Sequence, residues 1–189
     1  MKRALILACC SALLSACASH PDRFYILNPQ PAAAAPARIT PVTQATLRIK
    51  LPAWLDRSQL VIDTSSDGVT VLEHERWAAP LADLISQTLA KDLERRRSDL
   101  VVSDLVASHA TAYVNVVVDF TKLSIRRGER AHMEVQWRVV DAHGGTEVIR
   151  SGEFSSPLSD QGYEPIAQAL SGCLGQLADK ISADLPQSQ

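Results

Sequence analysis

The runs AYVNVVVDF (residues 112–120) and MEVQWRV (residues 133–139) decide the fold class of this 189-residue chain. In both runs an apolar side chain occupies every second position, which predicts strands with one apolar face. A turn through Gly128 separates them and predicts an antiparallel pair. After a second turn at residues 141–145, the run from Thr146 to Phe154 returns alongside. A long meander of this kind must bury its apolar face against a second layer.

Two helical patterns can supply that second layer. One runs from Pro80 to Arg97 and the other from Pro165 to Asp184, each with apolar residues every three or four positions. The apolar positions are Leu81, Leu84, Ile85, Leu89 and Leu93 in the first, and Ile166, Leu170, Cys173, Leu174, Leu177 and Ile181 in the second. We therefore expect an α+β fold, a mostly antiparallel sheet with two helices packed on one face, as a two-layer sandwich.

The remaining β-prone runs are short. Residues 46–51, 60–63 and 69–72 are predicted strands, the last two joined by a turn at Asp67-Gly68, and residues 24–27 form a further β-prone tetrad. Between them, residues 28–45 are rich in proline and alanine and are expected to form a surface connector. We expect residues 24–185 to be one domain that contains this connector.

The first seventeen residues predict the cellular compartment. A basic Lys2-Arg3 pair precedes an apolar run over residues 4–14, which is too short to span a bilayer but has the length of a signal-peptide core. The run ends in Leu14-Ser15-Ala16-Cys17, the pattern of a bacterial lipobox. Residues 1–16 are therefore predicted to be a lipoprotein signal peptide, with acyl chains carried on Cys17.

The expected anchor is close to the domain. Residues 17–23 would form a short membrane tether, and its six residues after the anchor span at most about 20 Å. Ala18 and Ser19 follow the cysteine, and the absence of aspartate there favours export to the outer membrane, with the domain facing the periplasm. The paired residues 24–27 would then hold one end of the domain permanently near the lipid surface.

Composition and motifs argue against several function classes. The formal net charge is −2, too even for a protein that neutralises nucleic-acid phosphates. The sequence shows no zinc-binding His-Glu-x-x-His, no Gly-x-Ser-x-Gly elbow and no phosphate-binding glycine loop. Cys173 lies on the apolar stripe of the second helix, which predicts a buried, inert thiol. We expect neither an enzyme nor a metal site, and no cofactor apart from the covalent lipid.

Two tryptophan segments are candidates for binding a partner protein. Trp54, Leu55, Asp56 and Arg57 follow a predicted strand, and Trp77 stands just before the first helix. Tryptophan and arginine often anchor protein interfaces. The alternative is that both indoles fill the edge of the core, with Arg57 paired to Asp56 and Arg76 paired to Glu75. Sequence favours the core for Trp77 and leaves both interpretations open for Trp54.

The same residues carry a family resemblance. The order of four motifs resembles the PqiC-like ABC-type transport auxiliary lipoproteins. These motifs are the lipobox, Phe24-Tyr25-x-Leu27, the segment from Leu51 to Val61, and Arg76-Trp77-Ala78-x-Pro80-Leu81. The match covers nearly the whole chain after Cys17, although Ala79 and Ile62-Asp63 depart from the family pattern.

The resemblance implies a non-catalytic lipoprotein subunit of a phospholipid transport system that supports envelope integrity. Such a subunit is attached to the outer membrane through its lipid and docks a periplasmic MCE-domain protein. A homo-oligomer is compatible with this role. The alternative is another lipoprotein of envelope assembly or secretion, of pilotin or scaffold type. A periplasmic hydrolase is the third hypothesis.

Overall fold

The computed structural model describes residues 20–32, 42–64, 67–103, 110–141 and 147–186. These residues form eight strands and two helices. The strands are β1 Arg23–Tyr25, β2 Val42–Lys50, β3 Gln59–Asp63, β4 Val69–Trp77, β5 Leu100–Val102, β6 Ala110–Arg126, β7 Arg130–Asp141 and β8 Glu147–Pro157. The helices are α1 Leu81–Arg96 and α2 Glu164–Asp184. The predicted signal peptide and Cys17 lie outside the described residues.

The strands form two sheets. The larger has the order β5-β2-β6-β7-β8, and the smaller has the order β1-β4-β3. The meander predicted from residues 112–154 is confirmed as β6, β7 and β8, which pair antiparallel in that order. Gly128 turns the chain between β6 and β7 with φ near 70°, a backbone conformation that suits glycine. The small sheet contacts the large one through β3 and β6.

The α+β sandwich is confirmed, but its sheets are mixed. Strand β2 pairs parallel with both β5 and β6, and β1 pairs parallel with β4. Neighbouring parallel strands need a long crossover, and β3, β4 and α1 together provide one between β2 and β5. The expectation of a mostly antiparallel sheet missed this crossover because it joins strands that are far apart in sequence.

Both helices cover the same face of the large sheet. Helix α1 packs on β2 and β5, helix α2 packs on β7 and β8, and the two helices contact each other. The predicted apolar stripes are buried in this interface, with Leu89, Leu93, Cys173, Leu177 and Ile181 all inaccessible to solvent. Within the described residues no helix is long and apolar enough to cross a bilayer.

Strands β2 and β4 are both longer than the sequence-based expectation. Strand β2 begins at Val42, not at residue 46, because residues 43–45 pair with β5 on one side and β6 on the other. The predicted connector therefore ends earlier, and its residues 33–41 lie outside the described part of the chain. Strand β4 continues to Trp77, since its second half pairs with β1.

Candidate functional site

Two of the predicted partner-binding side chains lie in the core. Trp77 is 2% exposed and Leu55 is 3% exposed. Trp77 is the last residue of β4, and its backbone N–H donates to the Ser58 carbonyl at 2.5 Å. Its indole therefore continues the buried face of the strand. For Trp77 the core interpretation is the correct one, and a partner protein cannot reach either side chain in this conformation.

Trp54 is on the surface. Its side chain is 45% exposed, in a turn closed by the bond from the Leu55 N–H to the Pro52 carbonyl at 2.9 Å. Asp56 Oδ1 accepts a bond from the Ala82 N–H at 3.3 Å, at the start of α1. The half-buried Arg57 holds an Nε atom that has no hydrogen-bond partner among the described residues. Of the five predicted candidates, Trp54 is the large apolar side chain that a partner can contact.

A groove opens beside Trp54. It has a volume of about 560 Å³ and lies between the β3–β4 hairpin and the outer surface of β6 and β7, the surface opposite the helices. The lining contains both basic and acidic side chains. The groove is lined by Trp54, Asp63, Asp67, Gly68, Val69, Lys122, Leu123, Ser124, Arg126, Glu129, Arg130 and His132.

The charges of the groove are only partly paired. Lys122 Nζ lies 3.1 Å from Glu134 Oε1, and this hydrogen bond is the main reason why the pKa of Glu134 is lowered. Ser124 Oγ donates to Asp63 Oδ2. Arg126 Nη1 approaches Glu129 Oε2 only to 3.9 Å. The Arg130 side chain makes no hydrogen bond or ion pair with another described residue, so it is available to a ligand.

A second polar cluster fixes the N-terminal segment to the small sheet. Glu75, 6% exposed, accepts hydrogen bonds from Arg23 and, at 2.6 Å, from the Tyr25 hydroxyl. Burial and the bond to Glu75 raise the pKa of Tyr25 to about 12. The same carboxylate raises the pKa of Arg23. The predicted Glu75–Arg76 pair is wrong, because Glu75 faces β1 instead.

Upstream of β1, the chain keeps following β4. Asp22 Oδ1 lies 2.9 Å from His74 Nδ1, and Asp22 Oδ2 lies 3.6 Å from Arg76 Nη1. The His20 and His74 rings are 6.0 Å apart. Residues 20–22 are therefore held against the sheet before the first paired residue of β1.

Downstream of β1, residues 28–30 cross the helices. The Asn28 N–H donates to Ser171 Oγ at 3.0 Å, and the Gln30 N–H donates to Asp92 Oδ1 at 2.6 Å. Arg95 Nη1 donates to the Pro29 carbonyl at 2.9 Å. Asp92 is fully buried, and that burial raises its pKa despite the nearby Arg96. We call residues 28–30 the strap.

Two features of the described residues concern metal binding and thiol chemistry. Among them no group of three His, Cys, Asp or Glu side chains could hold a metal ion. Cys173 is fully buried, as predicted, and burial raises the pKa of its thiol to about 12. A thiol in that environment stays protonated and unreactive.

Sequence reasoning missed the groove. Lys122, Arg126, Arg130 and His132 alternate with buried residues along β6 and β7, so their pattern indicates only a solvated strand face. Asp63, Asp67 and Val69 join them from a hairpin more than fifty residues earlier. The one sequence signal for this site was Trp54, an aromatic residue in a loop.

Comparisons with known proteins agree on one family. A model of the ABC-type transport auxiliary lipoprotein component family matches residues 25–182. The intermembrane transport lipoprotein PqiC of Escherichia coli K12 is 22% identical over 138 residues, which cover 73% of this chain and 72% of that protein.

Solved structures share the fold at low sequence identity. A crystal structure of an uncharacterised protein superposes with a TM-score of 0.70 and 17% identity, over 88% of this chain and all of the other. Protein XCC0632 from Xanthomonas campestris gives a TM-score of 0.62 and 14% identity, over 85% of this chain and 92% of its own.

Proposed function

The chain belongs to the ABC-type transport auxiliary lipoprotein family, and from that premise we propose that it is the outer-membrane lipoprotein subunit of a phospholipid transport system. It is attached through acyl chains on Cys17, and its domain faces the periplasm, where it docks an MCE-domain protein. Its role there is non-catalytic, and the transport it assists supports envelope integrity.

The observation that carries the proposal is the extent of the family match. The match begins at Tyr25, the last residue of β1, and ends within α2, so it runs through strands of both sheets and both helices. A relative named as an intermembrane transport lipoprotein covers 73% of the chain. The lipobox at residues 14–17 and the short tether supply the attachment that such a subunit requires.

Membrane attachment is tested by exchanging cysteines. Cys17→Ser is expected to leave an uncleaved precursor or to remove the protein from the outer-membrane fraction. Cys173→Ser is the matched control, because this buried thiol lies on α2, and it should leave processing and fractionation unchanged. Normal processing and outer-membrane retention of Cys17→Ser would contradict the attachment.

Partner binding is tested by co-purification. The lipidated protein, extracted in mild detergent, is expected to retain an MCE-domain protein together with the ABC permease and ATPase of its system. Light scattering on the same material gives the oligomeric state. Recovery of a secretion channel or an envelope-assembly machine instead would favour the pilotin or scaffold alternative.

A further inference from the structure

The N-terminal segment leaves the domain toward the groove. In the parallel register of β1 and β4, Arg23 stands beside Glu75 and Tyr25 beside Trp77. Residues before Arg23 therefore run toward Val69, where β4 begins, and the contacts of Asp22 and His20 with His74 follow this path. Val69 lines the groove. The attachment end and the groove thus share one end of the molecule.

The length of the tether places the bilayer at that end. Arg23 follows the proposed anchor at Cys17 by six positions, and Val69 precedes Glu75 by six positions along β4. Either segment spans at most about 20 Å when extended. An anchor six positions before Arg23 therefore holds the lipid surface within about 20 Å of Arg23, at the end of the domain where Val69 lines the groove.

The chemistry of the groove fits a phospholipid headgroup that remains in its bilayer. The guanidinium groups of Arg126 and Arg130 can donate paired hydrogen bonds to a phosphodiester. Carboxylates of the same groove, such as Glu129, suit an ammonium group. Two apolar side chains stand at the rim, Trp54 at 45% and Val69 at 48% exposure, and indoles favour the bilayer interface.

We infer that this groove binds the headgroup of a zwitterionic phospholipid and seats the anchored domain on the membrane, with Trp54 at the interface. The inference rests on the lipid attachment in the proposed function. A zwitterionic surface fits better than a strongly anionic one, because the groove carries both signs of charge and the whole chain has a net charge of −2. The groove is then a membrane contact and not a docking site for the MCE partner.

The natural fluorophore in the groove makes the test direct. The three tryptophans are Trp54, Trp77 and Trp137, and the last two are 2% and 5% exposed. The lipidated protein is reconstituted into vesicles of phosphatidylethanolamine and phosphatidylcholine that contain a lipid with a quencher on its headgroup. We expect the emission of Trp54 to be quenched, and Trp54→Phe to remove the quenched component.

Arginine variants then test the groove itself. In the double variant Arg126→Gln, Arg130→Gln, the ratio of docked to undocked protein, read from the quenched fraction, should fall about tenfold or more for each lost contact with phosphate. Arg150→Gln is the matched control, because Arg150 is an exposed arginine outside the groove. It lies on β8 beside Trp137, and Trp137 is seven residues along β7 from Arg130. In vesicles of phosphatidylglycerol alone, which lacks the ammonium group, quenching should be weaker.

The outcomes separate this inference from the proposed function. If the lipidated protein stays in the vesicles but Trp54 is not quenched, or is quenched equally in the double variant, the headgroup site is wrong while attachment stands. Equal or stronger quenching with phosphatidylglycerol would refute the zwitterionic preference. If Trp54→Ala loses the MCE partner in co-purification, the groove binds protein instead. A lipidated protein that does not enter vesicles would overturn both proposals.

Discussion

The loop at residues 51–58 and the segment at residues 75–80 look alike in sequence but differ in the structure. Each combines a tryptophan, a proline, an acidic residue and an arginine. Trp77 ends a strand paired with β1 and is buried, whereas Trp54 stands in a turn beyond the end of β2 and is exposed. Local composition therefore did not decide the environment of either indole. Strand pairing with a distant segment did.

The sharpest test of this difference is to remove each indole. Trp77→Ala should lower the free energy of unfolding by about 3–5 kcal/mol, because it leaves a large cavity in the core. Trp54→Ala should change it by no more than about 0.5 kcal/mol, as expected for a surface substitution. Urea denaturation followed by far-ultraviolet circular dichroism measures both without relying on tryptophan emission. Equal losses of unfolding free energy would mean that the exposed Trp54 stabilises the fold as much as the buried Trp77 does.

Replacing the acidic residue should likewise destabilise the protein more in the segment of Trp77 than in the loop of Trp54. Glu75→Ala leaves the buried Tyr25 hydroxyl without its acceptor and is expected to cost about 1–3 kcal/mol of unfolding free energy. Asp56→Ala removes one exposed bond of 3.3 Å at the start of α1 and should cost about 0.5 kcal/mol. Glu75→Gln keeps the size and an acceptor oxygen, and the same denaturation series should place it between the two.

Alkaline titration tests the hydrogen bond between Tyr25 and Glu75 through the pKa of Tyr25. Because the pKa of Tyr25 is about 12 in the folded protein and about 10 in an unfolded chain, its contribution to stability is present below pH 10. That contribution is lost as the pH rises through about 12. Ultraviolet difference absorbance of the native protein, compared with Tyr25→Phe, isolates this transition. In Glu75→Gln the transition should move to lower pH, and an unmoved transition would remove Glu75 from the explanation.

The smallest effect concerns accessibility alone. In the folded protein without lipid, acrylamide should quench the fluorescence of one class of tryptophan. Trp54→Phe should abolish that class and leave the unfolding midpoint nearly unchanged. Trp77→Phe is the control that retains the quenched class. If quenching persists in Trp54→Phe, the surface position of the loop is wrong.

Features encoded over short stretches of sequence were predictable. Helix α1 begins one residue after the predicted Pro80, and the alternation of residues 112–139 gave β6 and β7 with their turn at Gly128. These elements follow from local periodicity and from the backbone freedom of glycine. Cys173 was placed correctly by the same periodicity.

Features that depend on distant pairing were not predictable. The parallel register of β1 beside β4 buries Glu75 against Arg23 and Tyr25, and the sequence alone favoured the adjacent Arg76 as its partner. The groove likewise needs Asp63 and Val69 to meet Arg130 across two sheets. Periodicity predicts which face of a strand is exposed to solvent, but it does not predict which other strand lies opposite that face.

The strap and β1 also set an order of events during folding. The Asn28 N–H donates to Ser171 Oγ, 143 residues later, and Arg23 of β1 donates to Glu75 of β4, 52 residues later. Contacts of such high sequence separation close late, because the intervening chain must first be ordered. In an exported chain that emerges N-terminus first, the strap cannot close before α2 has been delivered. Under the proposed export, residues 20–30 would therefore join the domain only after α2 has folded.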